Sequence, residues 1–217
     1  MIDEQDVLNS INSNPNQEFQ SLGEPDKNKE KYSMTSEVLA FTWETAKIII
    51  ISLAIIIPIR YYLVQPFFVK GASMEPNFHD GDYLLVDEIS YRFNEPKRGE
   101  IIVFRSPENL SQYFIKRIVG LPDETVEIKN DRVVVYNADF PRGIELKEGY
   151  LSEDQETAGS FFVKLESDEY FVLGDNRLQS SDSRRWGNLD RNLITGRAYL
   201  RLWPFSKIMK TEQVSYE

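Results

Sequence analysis

The 217-residue chain has no cysteine and only one histidine, His79. Without cysteine there is no disulfide to staple a small fold, no thiolate zinc centre and no thiol nucleophile. A single imidazole leaves too few nitrogen ligands for a histidine-based metal centre, so neither a metal nor a cofactor is expected. Basic residues are also scarce: 25 Lys and Arg stand against 35 Asp and Glu, a formal net charge of -10. That balance argues against nucleic-acid binding, which needs cationic patches that release counterions from phosphates. Any hydrolytic chemistry therefore falls to hydroxyls, carboxylates and amines.

The acidity is uneven. Residues 1–37 carry eight acids against three bases (Lys27, Lys29 and Lys31), which is half of the net charge. This stretch is rich in Asn, Gln, Ser and charge, too poor in apolar surface to offset its ordering entropy, and is expected to be a disordered tail on the cytoplasmic side. From Leu39 the composition changes. Ile48 to Ile59 carries no charge, and extension outward over 38–65 gives the length a membrane crossing needs if Glu44, Lys47 and Arg60 sit near the interfaces. Trp43 and the Tyr61-Tyr62 pair stand where interfacial aromatics belong. A buried core helix is the competing reading, but four consecutive Ile between aromatic flanks suit lipid better. No cleavable leader precedes the apolar block, so the segment is expected to remain as a single-pass anchor in the plasma membrane. Lys27, Lys29, Lys31 and Lys47 before it against Arg60 and Lys70 after it favour an inside tail and an extracytoplasmic carboxyl-terminal domain.

Over 66–217 the hydrophobic period changes to two. Tyr83–Val86, Ile101–Phe104, Phe114–Val119, Val126–Ile128, Arg132–Tyr136, Phe161–Val163 and Tyr170–Leu173 are short β-branched or aromatic runs. Turn signals such as His79-Asp80-Gly81-Asp82 and Lys97-Arg98-Gly99-Glu100 separate them, which predicts a mostly β domain. Residues 142–160, full of Gly, Glu, Asp and Ser, read as a loop or poorly ordered, variable insertion. Alternation places Lys116 on one strand face with Phe114 and Ile118, and Arg117 on the other with Ile115 and Val119. A lysine between two large apolar neighbours loses hydration, which disfavours its ammonium form. A snorkelling strand-edge lysine is the ordinary alternative.

What singles Lys116 out is the company of other segments. Gly71-Ala72-Ser73-Met74-Glu75-Pro76, Arg98-Gly99-Glu100-Ile101-Ile102-Val103-Phe104, Phe114-Ile115-Lys116-Arg117-Ile118-Val119-Gly120-Leu121-Pro122 and Gly174-Asp175-Asn176-Arg177-Leu178-Gln179-Ser180-Ser181-Asp182-Ser183-Arg184 occur in that order after an anchor. In order and type they resemble the motifs of bacterial type I signal peptidases, over everything from the anchor to about Trp203 except 142–160. The resemblance implies a domain of coiled antiparallel sheets that hydrolyses the signal-peptide bond of exported preproteins at the outer membrane surface. Its partners would be signal-peptide-bearing preproteins and the lipid bilayer, and a monomer is expected.

Carried over by position, Ser73 would be the nucleophile and Lys116 the general base, a role open to lysine once its pKa falls by roughly two to three units. Ser180 would offer a hydroxyl to the amine, while Asp182 and Arg184 would hold the site's shape. Some members carry a hydroxyl residue two places before the nucleophile; here that place is Gly71, so the oxyanion would rely on the Ser73 amide and a water. A second departure, Leu121-Pro122-Asp123-Glu124 where Gly-Asp usually follows the proline, changes a turn. Small residues at the first and third positions before the cut imply two shallow apolar pockets and an extended peptide bound by strand addition, with Phe67, Phe68 and Ile102 as wall candidates. His79 is the rival base, although it reads more simply as part of a turn. The alternatives at the level of function are a self-cleaving repressor-type Ser/Lys protease, which would carry a DNA-binding domain and no anchor, and a membrane-anchored scaffold with decayed peptidase machinery.

Overall fold

The computed structural model describes residues 27–58, 64–211, 214 and 216. The chain divides into two units, 1–55 and 56–217. The described part of the first belongs to helix α1, Lys27–Pro58, whose last three residues fall in the second. Within it Ser36–Pro58 is long and apolar enough to cross a membrane, and its isoleucines are exposed throughout. That exposure would be unfavourable in water and suits a hydrocarbon surround. The helix begins inside the segment expected to be a disordered tail; Lys and Glu between 27 and 31 are good helix formers and extend the ladder beyond the apolar boundary. Residues 1–26 of that tail lie outside the described residues, as do 59–63 of the expected anchor.

The second unit is antiparallel β throughout. An eight-stranded sheet runs in the order β1 (Val64–Phe68), β2 (Tyr83–Asp87), β11 (Ile194–Trp203), β3 (Ile101–Arg105), β4 (Tyr113–Gly120), β9 (Glu169–Leu173) and β10 (Leu189–Asp190), with β12 (Met209–Lys210) on β11. A second sheet of four has the order β7 (Ile144–Glu145), β6 (Arg132–Tyr136), β5 (Thr125–Lys129) and β8 (Phe161–Lys164). Short helices α2 (Ser90–Phe93) and α3 (Ser183–Trp186) fill connections. All seven runs with period two lie in strands, so the mostly β reading holds. Five strands were not foreseen, and three of them, β7, β10 and β12, are only two residues long. In β1, Pro66 obscures the pattern and is tolerated because the strand lies at a sheet edge. In β11, Gly196, Arg197 and Arg201 interrupt the apolar pattern of what is in fact a central strand.

Both faces of the large sheet are covered, which is why β3 is apolar at successive positions rather than alternate ones. Ile102, Phe104, Ile118, Tyr170, Val172 and Leu189 pack on one side. Val69, Met74, Phe78, Leu84, Ile101 and Ala198 pack on the other. The small sheet lays Val126, Ile128, Val133 and Val135 against Val119, Phe171 and Leu173. Segment 142–160 is largely loop, as its composition suggests, but it is tied down: β7 pairs with β6, Leu146 is buried in the core and Thr157 is 1% exposed.

Candidate active site

Ser73 stands in the turn that follows β1, and local contacts fix that turn. The β1–β2 pairing continues past Phe68, with the Val69 amide donating to the Asp82 carbonyl at 2.9 Å and the Gly81 amide to the Val69 carbonyl at 3.1 Å. The chain then reverses through Gly71, whose φ of 87° suits glycine and whose amide donates to Asp80 Oδ1 at 2.7 Å. Met74 and Phe78 plug the turn into the core. From the other side the Asn176 amide donates to the Ser73 carbonyl at 3.0 Å, so the last motif clamps the first.

Lys116 arrives on β4. Its Cα partner across β3 is Ile102, and the β4–β9 pairing begins only at Arg117. The edge of β4 over Tyr113–Lys116 is thus free of β9 and faces the Ser73 turn. The Lys116 side chain is 3% exposed, and its Nζ lies 2.8 Å from Ser73 Oγ and 2.8 Å from the Ile115 carbonyl. Phe114 presents its ring 5.5 Å away, and Ile118 is fully buried beside it on the same face. Burial is the largest influence on this amine and lowers its pKa from 10.5 to about 8, against the opposing pull of the Asp182 and Asp175 carboxylates. A nitrogen that is neutral for part of the time near neutral pH, in hydrogen-bond contact with a half-buried hydroxyl, can exchange a proton with it.

The segment after β9 supplies the frame. Asp182 is fully buried; it caps α3, accepts from the Gly174 amide at 3.0 Å and is held by Arg184 through Nε at 2.8 Å and Nη2 at 2.9 Å. Arg184 Nη2 also donates to the Arg177 carbonyl at 2.7 Å. Ser180 is brought beside Gly174, but its buried Oγ has no hydrogen-bond partner among the described residues, so no such bond joins it to the amine. His79 lies in the turn before β2, its amide donating to Asp82 Oδ2 at 3.0 Å and its Nδ1 buried without a partner. Among the described residues nothing links its ring to Ser73.

Of the four charged residues in Gly174–Arg184, only Asp182 and Arg184 pair with each other. Asp175 instead takes Arg117 in a buried bidentate pair, at 2.8 and 2.7 Å, and accepts from Asn77 Nδ2 at 2.8 Å. Arg117 also lies 4.0 Å from the Tyr150 ring. Arg177, 3% exposed, reaches Glu148, Thr157 and Tyr150 of the 142–160 segment. The alternation that placed Arg117 between Ile115 and Val119 was the available signal for one of these pairs; Glu148 offered none.

Ser73 and Lys116 open into a cleft of about 390 Å³ lined chiefly by Phe67, Val69, Leu84, Val103, Tyr113 and Ile115. Phe67 and Phe68 are wall residues as expected. Ile102 is not: it faces the opposite side, at 0% exposure among Phe104 and Ile118, and Val103 takes its place. A larger cavity of about 670 Å³ includes neither Ser73 nor Lys116, and its Arg197 is already paired with Asp87 and Glu100. Among the described residues no cluster of His, Asp and Glu could hold a metal ion.

The family model described as signal peptidase, peptidase S26, matches residues 42–203. The chain belongs to this family. It is 35% identical over 193 residues to signal peptidase I of Bacillus licheniformis, covering 84% of this chain and 99% of that one. It is 37% identical over 172 residues to signal peptidase I of Leptolyngbya laminosa, covering 76% and 81%. A crystal structure of a signal peptidase I from Enterococcus faecalis is 32% identical, with a TM-score of 0.41 over 48% of this chain and 97% of its own.

Proposed function

We propose that Ser73 and Lys116 are the nucleophile and general base with which this membrane-anchored serine peptidase removes signal peptides from preproteins. The observation that carries this reading is the 2.8 Å approach of a buried lysine nitrogen to the Ser73 hydroxyl inside an apolar cleft. In its neutral form the amine accepts the hydroxyl proton as Oγ attacks the scissile carbonyl carbon, and the negative charge gathers on the carbonyl oxygen. The Ser73 amide meets that oxygen, with room left by Gly71 for a water. Collapse of the intermediate expels the peptide nitrogen, which takes the proton from the Lys116 ammonium. The amine, neutral again, then draws a proton from water to release the acyl group and regenerate serine.

The substrate reading follows from the cleft. The chain around Phe67–Lys70 and the free edge of β4 face each other across it, and an extended peptide between them would complete a sheet. On this reading the side chains of the first and third residues before the cut turn into the apolar walls, where small groups fit. Asp182 and Arg184 brace the turn that carries Gly174. Ser180, with a buried hydroxyl in want of a bond, is positioned to orient the amine when the site is engaged. The distribution of lysine and arginine around α1 supports an inside amino terminus and an outside peptidase domain, which we place in the plasma membrane as a monomer.

The test is incubation of the detergent-solubilised chain with a preprotein beside Ser73→Ala and Lys116→Ala. Site-specific cleavage by the parent and almost none by either variant is expected. Full activity of Lys116→Ala would remove the assigned base.

A further inference from the structure

Outside the dyad the cleft walls are apolar or aromatic apart from the Ser181 hydroxyl and one charged side chain, Lys70. Val69 and Lys70 still alternate, because the β1–β2 hydrogen bonds run on through Val69. Val69 is 5% exposed and packs inward with Leu84 and Ile101, whereas Lys70 is exposed on the opposite face. Its ammonium makes no ion pair among the described residues. The nearby Asp80 carboxylate is held by the Gly71 amide instead. Lys70 is therefore a cation at the rim of a peptide-binding cleft, three residues before Ser73.

We infer that Lys70 selects substrates by charge, favouring a carboxylate at the second residue before the cut. The inference rests on the strand-addition reading of the cleft. In an added strand, successive side chains turn to opposite faces. If the first and third residues before the cut enter the apolar side shared by Val69, Leu84 and Ile115, the second turns to the side on which Lys70 stands. A Glu there gains an opposite charge within reach of a flexible four-carbon stem, and a Lys meets a like charge. An exposed pair of this kind changes an equilibrium by at most about fivefold, and salt screens it.

The experiment uses the full chain in non-ionic detergent at low ionic strength, so that lipid charge does not enter. Its substrates are three preproteins differing only at the second residue before the cut: Glu, Gln or Lys. The readout is the Glu-to-Lys ratio of kcat/KM within each enzyme, which cancels any common loss of activity. A ratio of about five is expected for the parent, about one for Lys70→Gln and below one for Lys70→Glu, with all three converging on one at high salt. An equal ratio in the three enzymes would overturn the inference while leaving the serine–lysine reading in place. Failure of the parent to cut any of the three, or cutting by Ser73→Ala, would overturn that reading and this inference together.

Discussion

With Lys116 as the proposed general base, the pH dependence of the reaction follows in direction and size from the burial of its amine. With a pKa of about 8, roughly one amine in eleven is neutral at pH 7 and ten in eleven at pH 9, so kcat/KM rises about tenfold between them. An ordinary lysine near 10.5 would be neutral in only about three molecules in ten thousand at pH 7. Desolvation thus raises the working fraction by a few hundredfold, the equivalent of about 3 kcal/mol. The perturbation that tests the cause is Phe114→Ala, which removes the ring 5.5 Å from Nζ and opens the amine to water. Its pKa then climbs back toward 10.5; a rise of about one unit moves the acid limb of the profile upward and lowers the rate at pH 7 about tenfold. The assay is kcat/KM on one preprotein from pH 6 to pH 10 for parent and variant. A limb near 6.5, the ordinary range of imidazole, would assign the titration to His79 and refute the reasoning. An unmoved limb in Phe114→Ala would refute the part given to desolvation by this ring.

The same shift has a stability consequence of definite sign. Because the folded pKa lies below the unfolded one, the unfolded chain binds more protons between about pH 8 and 10.5, and Lys116 destabilises the fold fully below that window and not at all above it. Lys116→Met, which also loses the bonds to Ser73 and Ile115, is expected to stabilise the protein by about 2 kcal/mol at pH 7 and to destabilise it by about 1 kcal/mol above pH 11, read from thermal unfolding at the two pH values. Gly174→Ala places a methyl group into Ser180 and within 2.5 Å of the Ser73 carbonyl; the turn must shift, and a fall in kcat on the order of a hundredfold is expected from single-turnover kinetics. Glu148→Gln leaves the buried Arg177 guanidinium without its carboxylate, with an expected loss of about 3 kcal/mol in denaturant unfolding.

The unforeseen central strand β11 and the unforeseen ion pairs share a cause. Periodicity reports a side chain's environment only where that environment is uniformly apolar on one face and polar on the other. In β11, Arg197 pairs with Asp87 and Glu100 and Arg201 pairs with Asp82. Each cation that looks solvent-facing is in fact paired with a carboxylate in, or just before, another strand. The 142–160 segment has the composition of an insertion because its anchoring depends on few residues. Leu146 enters the core, Tyr150 stacks on Arg117 and Glu148 meets Arg177.

What the order of residues determined alone was the alphabet of the chemistry: no thiol, one imidazole, a serine in a glycine- and proline-marked turn, and a lysine flanked by Phe114 and Ile118. It also determined that the domain is β and that an apolar helix precedes it, since both are local consequences of period and run length. Only the folded chain decided that Ser73 and Lys116 meet, that Asp175 belongs to Arg117 and that Val103 rather than Ile102 walls the cleft. Those are contacts across 43 or more positions of sequence for the first two, fixed by strand order and register, and no window of neighbouring residues contains them.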